Sequence, residues 1–341
     1  MENVNQQYID LLLSNKHTNV LECYSANEWI DKGKLLDNPK PLFGNIWSET
    51  EVGILFADTG QGKSILAVQI ADAIASGKSV LGLSSTKSNV LFLDCELSTK
   101  SFQRRYTGEN DSTYLFSDNL IRAELRVEKL TNSTDSIDKI LINSVLEIVL
   151  KRQIKVVIID NISFLSESNE KSKDANALMK AILNLSRNFG LAILIIAHTP
   201  KREFFKSMRI EDLAGSKALA NFCDIAFCIG PSIKSSQIKY IKELKNRNNP
   251  IEFHDDNIME CEIDKSEGFL KLKFNGLGKE KDHVLNNGFI NSIDEENIFI
   301  KVAKKYKLSN VEIANILGVS EKTIRNRIIK GSNKSPNDSE V

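Results

Sequence analysis

Cysteine and histidine are scarce in this chain and neither is clustered. Five cysteines (Cys23, Cys95, Cys223, Cys228 and Cys261) and four histidines (His17, His198, His254 and His283) are spread over 341 residues. There is no Cys-x-x-Cys pair and no ligand spacing among the histidines, which argues against a zinc site and a disulfide scaffold. An odd, scattered set of cysteines reads as small buried hydrophobes in a reducing cytoplasm. No apolar run approaches the ~20 residues needed to cross a bilayer, and the N-terminus carries no signal-peptide pattern. Charge of one sign is also lacking: 45 Lys plus Arg balance 45 Asp plus Glu, which excludes a blanket basic surface but leaves room for a local basic patch. At 341 residues the chain exceeds what one core usually serves, so a main domain with a smaller companion is expected.

The strongest local pattern is Ala57-Asp58-Thr59-Gly60-Gln61-Gly62-Lys63-Ser64, directly after the apolar run Gly53 to Phe56. The following stretch, Ile65 to Ala71, has helical spacing. A strand, a glycine-rich turn ending in Lys-Ser and a helix together make a phosphate-binding loop. Gly60 and Gly62 let the backbone bend with its N–H groups inward, around a polyphosphate. The first turn of the helix adds unpaired N–H groups and the positive end of its dipole. Lys63 is expected to reach the terminal phosphates as a point charge, and Ser64 to place its hydroxyl on Mg2+. Thr59, Gly60, Gln61, Gly62, Lys63, Ser64 and Ile65 form the expected nucleotide cradle. Ala57 stands where the usual pattern has its first glycine.

Short, continuously apolar strands are expected at Val52–Ala57, Asn89–Asp94, Val156–Asp160, Ala192–Ala197 and Ile225–Ile229, as in parallel strands covered on both faces. Helical patterns lie between them, at Lys63–Ala75, Ser136–Lys151 and Asp174–Asn188. This order predicts an α/β, doubly wound, mostly parallel sheet. Lys239–Lys245 and Phe269–Phe274 read as later strands, added antiparallel at one side. The expected division is an N-terminal extension at 1–45, a main α/β domain at 46–280, a linker at 281–294, a small all-α domain at 295–330 and a disordered tail at 331–341.

Three further strand ends carry polar residues. Asp160 closes Val156 to Ile159 and suits a carboxylate that orients Mg2+ through its water shell. Glu96 follows Leu91 to Cys95 and suits the general base that polarises the attacking water, with Asp94 kept as a structural group. His198 ends Ile195 to Ala197, where a polar group can touch the terminal phosphate. The bland alternatives are a strand-end aspartate capping the next turn for Asp160 and a strand-end histidine bonded to a carbonyl for His198.

Near the C-terminus, Ser309 to Leu317 and Glu321 to Ile328 read as two short helices about Gly318, with Ser320 as N-cap. Ile313, Leu317, Val319 and Ile324 supply a small core, and Ala314 permits close approach. This is a helix-turn-helix pattern, and it resembles the homeodomain-like family of transposases and sigma factors. Glu321, Lys322, Thr323, Asn326 and Arg327 would then face the major groove or phosphates. A plain helical hairpin for protein contacts is the alternative.

Taken together, Lys63, Ser64, Glu96, Asp160, His198 and the Lys245-Asn246-Arg247 run resemble the RecA-like ATPase superfamily, over about residues 40 to 278. The likeness is nearest to hexameric plasmid helicases, the ATPase core of replicative helicases and ATPases of bacterial mobile elements. It implies a RecA-like fold, ATP and Mg2+ as cofactors, DNA as partner and a homo-oligomer, with a hexamer expected. It also implies that Lys245 and Arg247 act across a subunit interface. The loop containing Lys201, Arg202, Lys206 and Arg209 would contact DNA in the ring channel. Two functions follow: a cytoplasmic ring ATPase of helicase or translocase type, or an ATP-switched DNA-binding regulator or partitioning factor that does not translocate.

Overall fold

The computed structural model describes residues 21–109, 111–125, 137–161, 172–200, 202–213, 216–285 and 292–332. The chain forms two units, Met1–Pro39 and Lys40–Val341. In the first, the described part holds helix α1 (Ala26–Lys34), closed by a reciprocal capping box between Ser25 and Glu28. The apolar stretch Tyr8 to Leu13 lies outside the described residues.

The second unit begins at Lys40, ahead of the boundary that the sequence predicts. Strands β1 (Pro41–Phe43) and β2 (Trp47–Ser48) form a small hairpin. Leu42, Phe43, Ile46 and Trp47 are buried in the main core, so 40–45 belong to this unit and not to an extension. The apolar content of this segment outweighs the breaking effect of Pro39 and Pro41.

The main sheet is built from β3 (Val52–Ala57), β4 (Val90–Asp94), β5 (Leu120–Glu124), β6 (Val156–Asp160), β7 (Ala192–His198), β8 (Ile225–Pro231), β9 (Ile238–Asn246), β10 (Ile258–Asp264) and β11 (Lys271–Gly278). Their order is β11-β10-β9-β8-β3-β7-β6-β4-β5. Strands β8 to β5 in that order run parallel, and β9, β10 and β11 add antiparallel at one side. Among the described residues, the helices beside this sheet are α2 (Lys63–Ser76), α3 (Thr99–Arg105), α4 (Ile137–Arg152), α5 (Ser172–Phe189) and α6 (Ser216–Phe222). Alternate strand residues feed two cores. Leu55, Phe92, Ile158, Leu194 and Phe227 pack with α2 and the hairpin. Ile54, Leu91, Val157, Ile193 and Ala226 pack with α4 and α5 on the other face. The sheet is therefore doubly wound.

Strand register fixes the site. Ala57 pairs with His198, Asp94 with Asp160 and Ile159 with Ile195. The polar residues that end β4, β6 and β7 thus share the carboxyl edge of the sheet with the turn that follows Ala57, where α/β folds bind ligands.

Helices α7 (Ile293–Lys305), α8 (Asn310–Leu317) and α9 (Glu321–Ser332) close the described chain. Capping boxes at Ser292/Glu295 and Ser309/Glu312 start the first two. Gly318 ends α8 at φ 66°, a left-handed cap that favours glycine. Phe299, Ile300, Val302, Ala303, Ile313, Ala314 and Ile324 form a third core. The expected linker is packed where it is described: Glu280–Asp282 form a 3-10 turn, and His283 and Val284 are buried. His283 is held by Ser232 (2.9 Å) and Glu260 (3.0 Å), partners that a polar composition hides.

Candidate active site

Between β3 and α2 the chain turns through Gly60 (φ 77°) and Gly62 (φ 95°), conformations that a side chain strains. Gly62 is the N-cap of α2, so the first-turn N–H groups of this helix face the loop without a capping side chain. Thr59 and Gly60 are exposed, Ser64 and Ile65 half-buried, and Gln61 and Lys63 buried. Lys63 Nζ donates to the carbonyls of Ala57 (2.9 Å) and Asp58 (3.0 Å). Burial lowers the Lys63 ammonium to about 8, opposed by the charges of Asp160, Asp58 and Glu96.

The Ser64 hydroxyl stands beside the Asp160 carboxylate. Burial raises Asp160 to about 6, with the neighbouring Ser64 hydroxyl acting the other way. Among the described residues, Asp160 Oδ2 is buried with no hydrogen-bond partner. A hydroxyl beside a carboxylate with an unused buried oxygen suits Mg2+, which takes oxygen ligands and keeps several waters.

Glu96, Asn161 and His198 form one cluster. Asn161 Nδ2 contacts Glu96 Oε1 and lies 2.8 Å from His198 Nε2, which is 3.4 Å from Glu96 Oε1. The Glu96 carboxylate is about half exposed, as a base that meets water must be. Asp94 is structural: its Oδ1 accepts the N–H groups of Glu96 and Leu97, and its Oδ2 accepts from Arg122. Asn161 and Arg122 do not emerge from the sequence as site residues. The polar position after Asp160 is the available signal for Asn161. Arg122 carries none, because its strand, β5, is only half-buried and lacks a continuous apolar run.

Other expected residues are placed differently. Lys245 and Arg247 lie at the far end of the sheet: Asn246 pairs with Ile225, and Ile225 with Gly53 at the start of β3. That is about 17 Å along the strand from the phosphate loop, at ~3.4 Å per residue. Lys245 Nζ donates to the carbonyls of Ala220 and Cys223, both at 2.6 Å, closing the end of α6. Arg247 pairs with Asp224 at 3.1 Å and remains half exposed.

Arg202 is not a free loop cation. Its side chain is 7% exposed and pairs with Asp58 (3.1 Å) and Asp212 (3.4 Å), because two carboxylates converge on it. Lys206 pairs with Glu203 at the surface, and Arg209 is exposed. Lys201 lies outside the described residues. On α9, Lys322 and Asn326 are exposed, and the Thr323 hydroxyl meets Ser320 at 2.9 Å. Arg327 departs from the expected groove-facing set: it ion-pairs with Glu296 of α7 inside the bundle.

The family described as AAA domain matches residues 22–203. No curated protein matches. Among solved structures, an isolated ATPase domain aligns with a TM-score of 0.52 at 11% identity, covering 73% of this chain and 99% of that one. This likeness is one of fold. A glycine-rich loop, a carboxylate beside its serine and a half-exposed glutamate at the next strand end all lie on one sheet edge, and the chain belongs to the AAA domain family.

Proposed function

We propose that this chain is a Mg2+-dependent ATPase that assembles as a ring, with six subunits expected, and acts on DNA as a helicase or translocase. The observation that carries the reading is the split of the site. Lys63, Ser64, Glu96 and Asp160 share the carboxyl edge of the sheet, while Lys245 and Arg247 sit at the opposite end and cannot reach it within one chain. A second copy, docked end to edge, would bring Arg247 to the triphosphate.

In this reading the N–H groups of the loop and α2 cradle the phosphates, and Lys63 shifts from the carbonyls of Ala57 and Asp58 to the phosphate oxygens. Glu96 accepts a proton from the attacking water, and Asn161 and His198 hold its carboxylate in place. Ser64 and Asp160 would hold Mg2+, which supplies charge neutralisation at the phosphates. The solved ATPase domain supports the fold of this reading, and DNA as partner rests on the helicase resemblance and on α8–α9.

The experiment is subunit mixing. Lys63→Ala and Arg247→Ala chains are each inactive alone, and a mixture regains hydrolysis, because the intact loop of one faces Arg247 of the other. No recovery, or Arg247→Ala losing nucleotide binding, contradicts the shared site.

A second reading is an ATP-switched DNA-binding regulator. It is favoured by the packing of α7–α9 on the main domain, through Tyr306 against Lys239 and Phe205 against Phe299. Strand displacement on a forked duplex supports the ring motor, and ATP-dependent DNA binding without unwinding supports the regulator.

A further inference from the structure

Asp58 is held from two sides. Its carbonyl accepts from Lys63 Nζ at 3.0 Å, and its carboxylate accepts from Thr199 Oγ1 and from Arg202 Nη1 at 3.1 Å. Arg202 also donates to the carbonyls of Phe204 (3.3 Å) and Ser207 (3.2 Å), so it fixes the backbone that follows. That backbone carries two aromatic side chains into the C-terminal bundle. Phe204 packs on Tyr306 with ring centroids 4.9 Å apart, and Phe205, 2% exposed, packs on Phe299 at 5.3 Å. The far side is pinned by Glu280, which accepts from Ser207 Oγ (2.6 Å) and Met208 N (3.0 Å) and is itself held by Lys242 and Tyr240.

We propose that Arg202, Phe204 and Phe205 form a linkage through which nucleotide at the phosphate loop controls the C-terminal helices α7–α9. The proposal rests on nucleotide binding at Lys63. A triphosphate that engages Lys63 takes this donor from the Asp58 carbonyl. The Asp58 carboxylate and Arg202 then move or stiffen together, because both side chains are enclosed and ion-paired. The loop has no slack to absorb that change, being fastened at Asp58, Glu280 and the bundle core, so it passes to Phe299 and Tyr306. Coupling of this kind is reciprocal: a ligand on α8–α9 alters nucleotide affinity by the same factor.

Hydrogen exchange of the full chain, with and without Mg·ADP and Mg·ATPγS, tests the linkage. Nucleotide binding is followed separately with a fluorescent ADP. In the wild type, nucleotide slows exchange of amides in 293–332 by about fivefold or more, the lower end of ordinary coupling. Arg202→Gln cuts the linkage at the phosphate loop and Phe205→Leu cuts it at the bundle. Both still bind nucleotide, and both lose the change in 293–332. Should Phe205→Leu fail to fold by circular dichroism, Arg202→Gln decides from the other end. Nucleotide binding with unchanged exchange in wild-type 293–332 overturns the proposal, as does a wild-type response in Arg202→Gln. Absence of nucleotide binding to the wild type contradicts the nucleotide site itself, which is a separate failure.

Discussion

The carboxylate of Asp94 accepts the backbone N–H of Glu96 at 3.2 Å, so a fully buried acid sets where the candidate base stands. Arg122 closes the arrangement from β5, with Nε 2.9 Å from Asp94 Oδ2. Glu96→Gln is expected to retain ATP binding and to lose hydrolysis by about 10²–10⁴-fold, the usual share of a general base. Arg122→Ala leaves Asp94 buried without its cation, and kcat drops by about tenfold while KM for ATP changes little. Phosphate release in the steady state measures both. Wild-type turnover in Glu96→Gln removes this residue from the mechanism.

Asp160 predicts a pH dependence of stability. Its carboxyl is raised to about 6 in the folded chain, against 3.8 for the free side chain. Across that window the folded chain keeps a proton that the unfolded chain releases, so stability is highest below pH 3.8 for this group and declines as pH rises to 6. Asp160→Asn removes the decline and stabilises the protein at pH 7 by up to about 3 kcal/mol, at 1.36 kcal/mol per pKa unit. It also abolishes Mg2+-dependent hydrolysis. Urea denaturation at pH 5 and pH 7 reads the effect, and equal pH slopes in wild type and variant count against it.

The Lys242–Glu280 pair predicts a different loss. Lys242 is 2% exposed and Glu280 4%, at 2.7 Å. Glu280→Ala takes one of two carboxylates from the buried Lys242 ammonium, which keeps Asp255 at 2.8 Å, and costs about 1–3 kcal/mol, whereas the double change Lys242→Met with Glu280→Leu recovers most of it. Urea midpoints of the three proteins decide, and a double variant no better than Glu280→Ala contradicts the desolvation argument.

On the C-terminal bundle, Lys322 and Arg327 separate by role. Lys322 is exposed, and Lys322→Ala is expected to weaken DNA binding at all sequences and to reduce the salt slope by about one. Arg327 is occupied by Glu296, so Arg327→Ala lowers the stability of α7–α9 instead. Fluorescence anisotropy over a salt series distinguishes them, and an unchanged slope in Lys322→Ala removes it from a phosphate contact.

How far the sequence reveals this protein depends on the range of the interaction. The phosphate loop is written in consecutive residues, Gly60 to Ser64, because backbone curvature and helix start are local. The five central strands are legible because burial on both faces makes them continuously apolar. Strand β10 escapes notice because its sequence, Ile258 to Asp264, interleaves Glu260 and Glu262 with buried residues on a half-covered sheet. Arg202 reads as a basic loop residue because its partner Asp58 stands 144 residues away. Glu280 reads as part of a charged stretch because its partners, Lys242 and Tyr240, are on another strand. Ion pairs formed only in the fold leave no trace in composition or spacing.

The central claim is ATP hydrolysis at the Lys63 loop with Glu96 as base. Its most direct test is phosphate release by the full chain with Mg·ATP, for wild type and Lys63→Ala in parallel. The account predicts Mg2+-dependent turnover in the wild type and none above background in Lys63→Ala. Equal turnover in the two proteins, or none in the wild type with and without DNA, would contradict it.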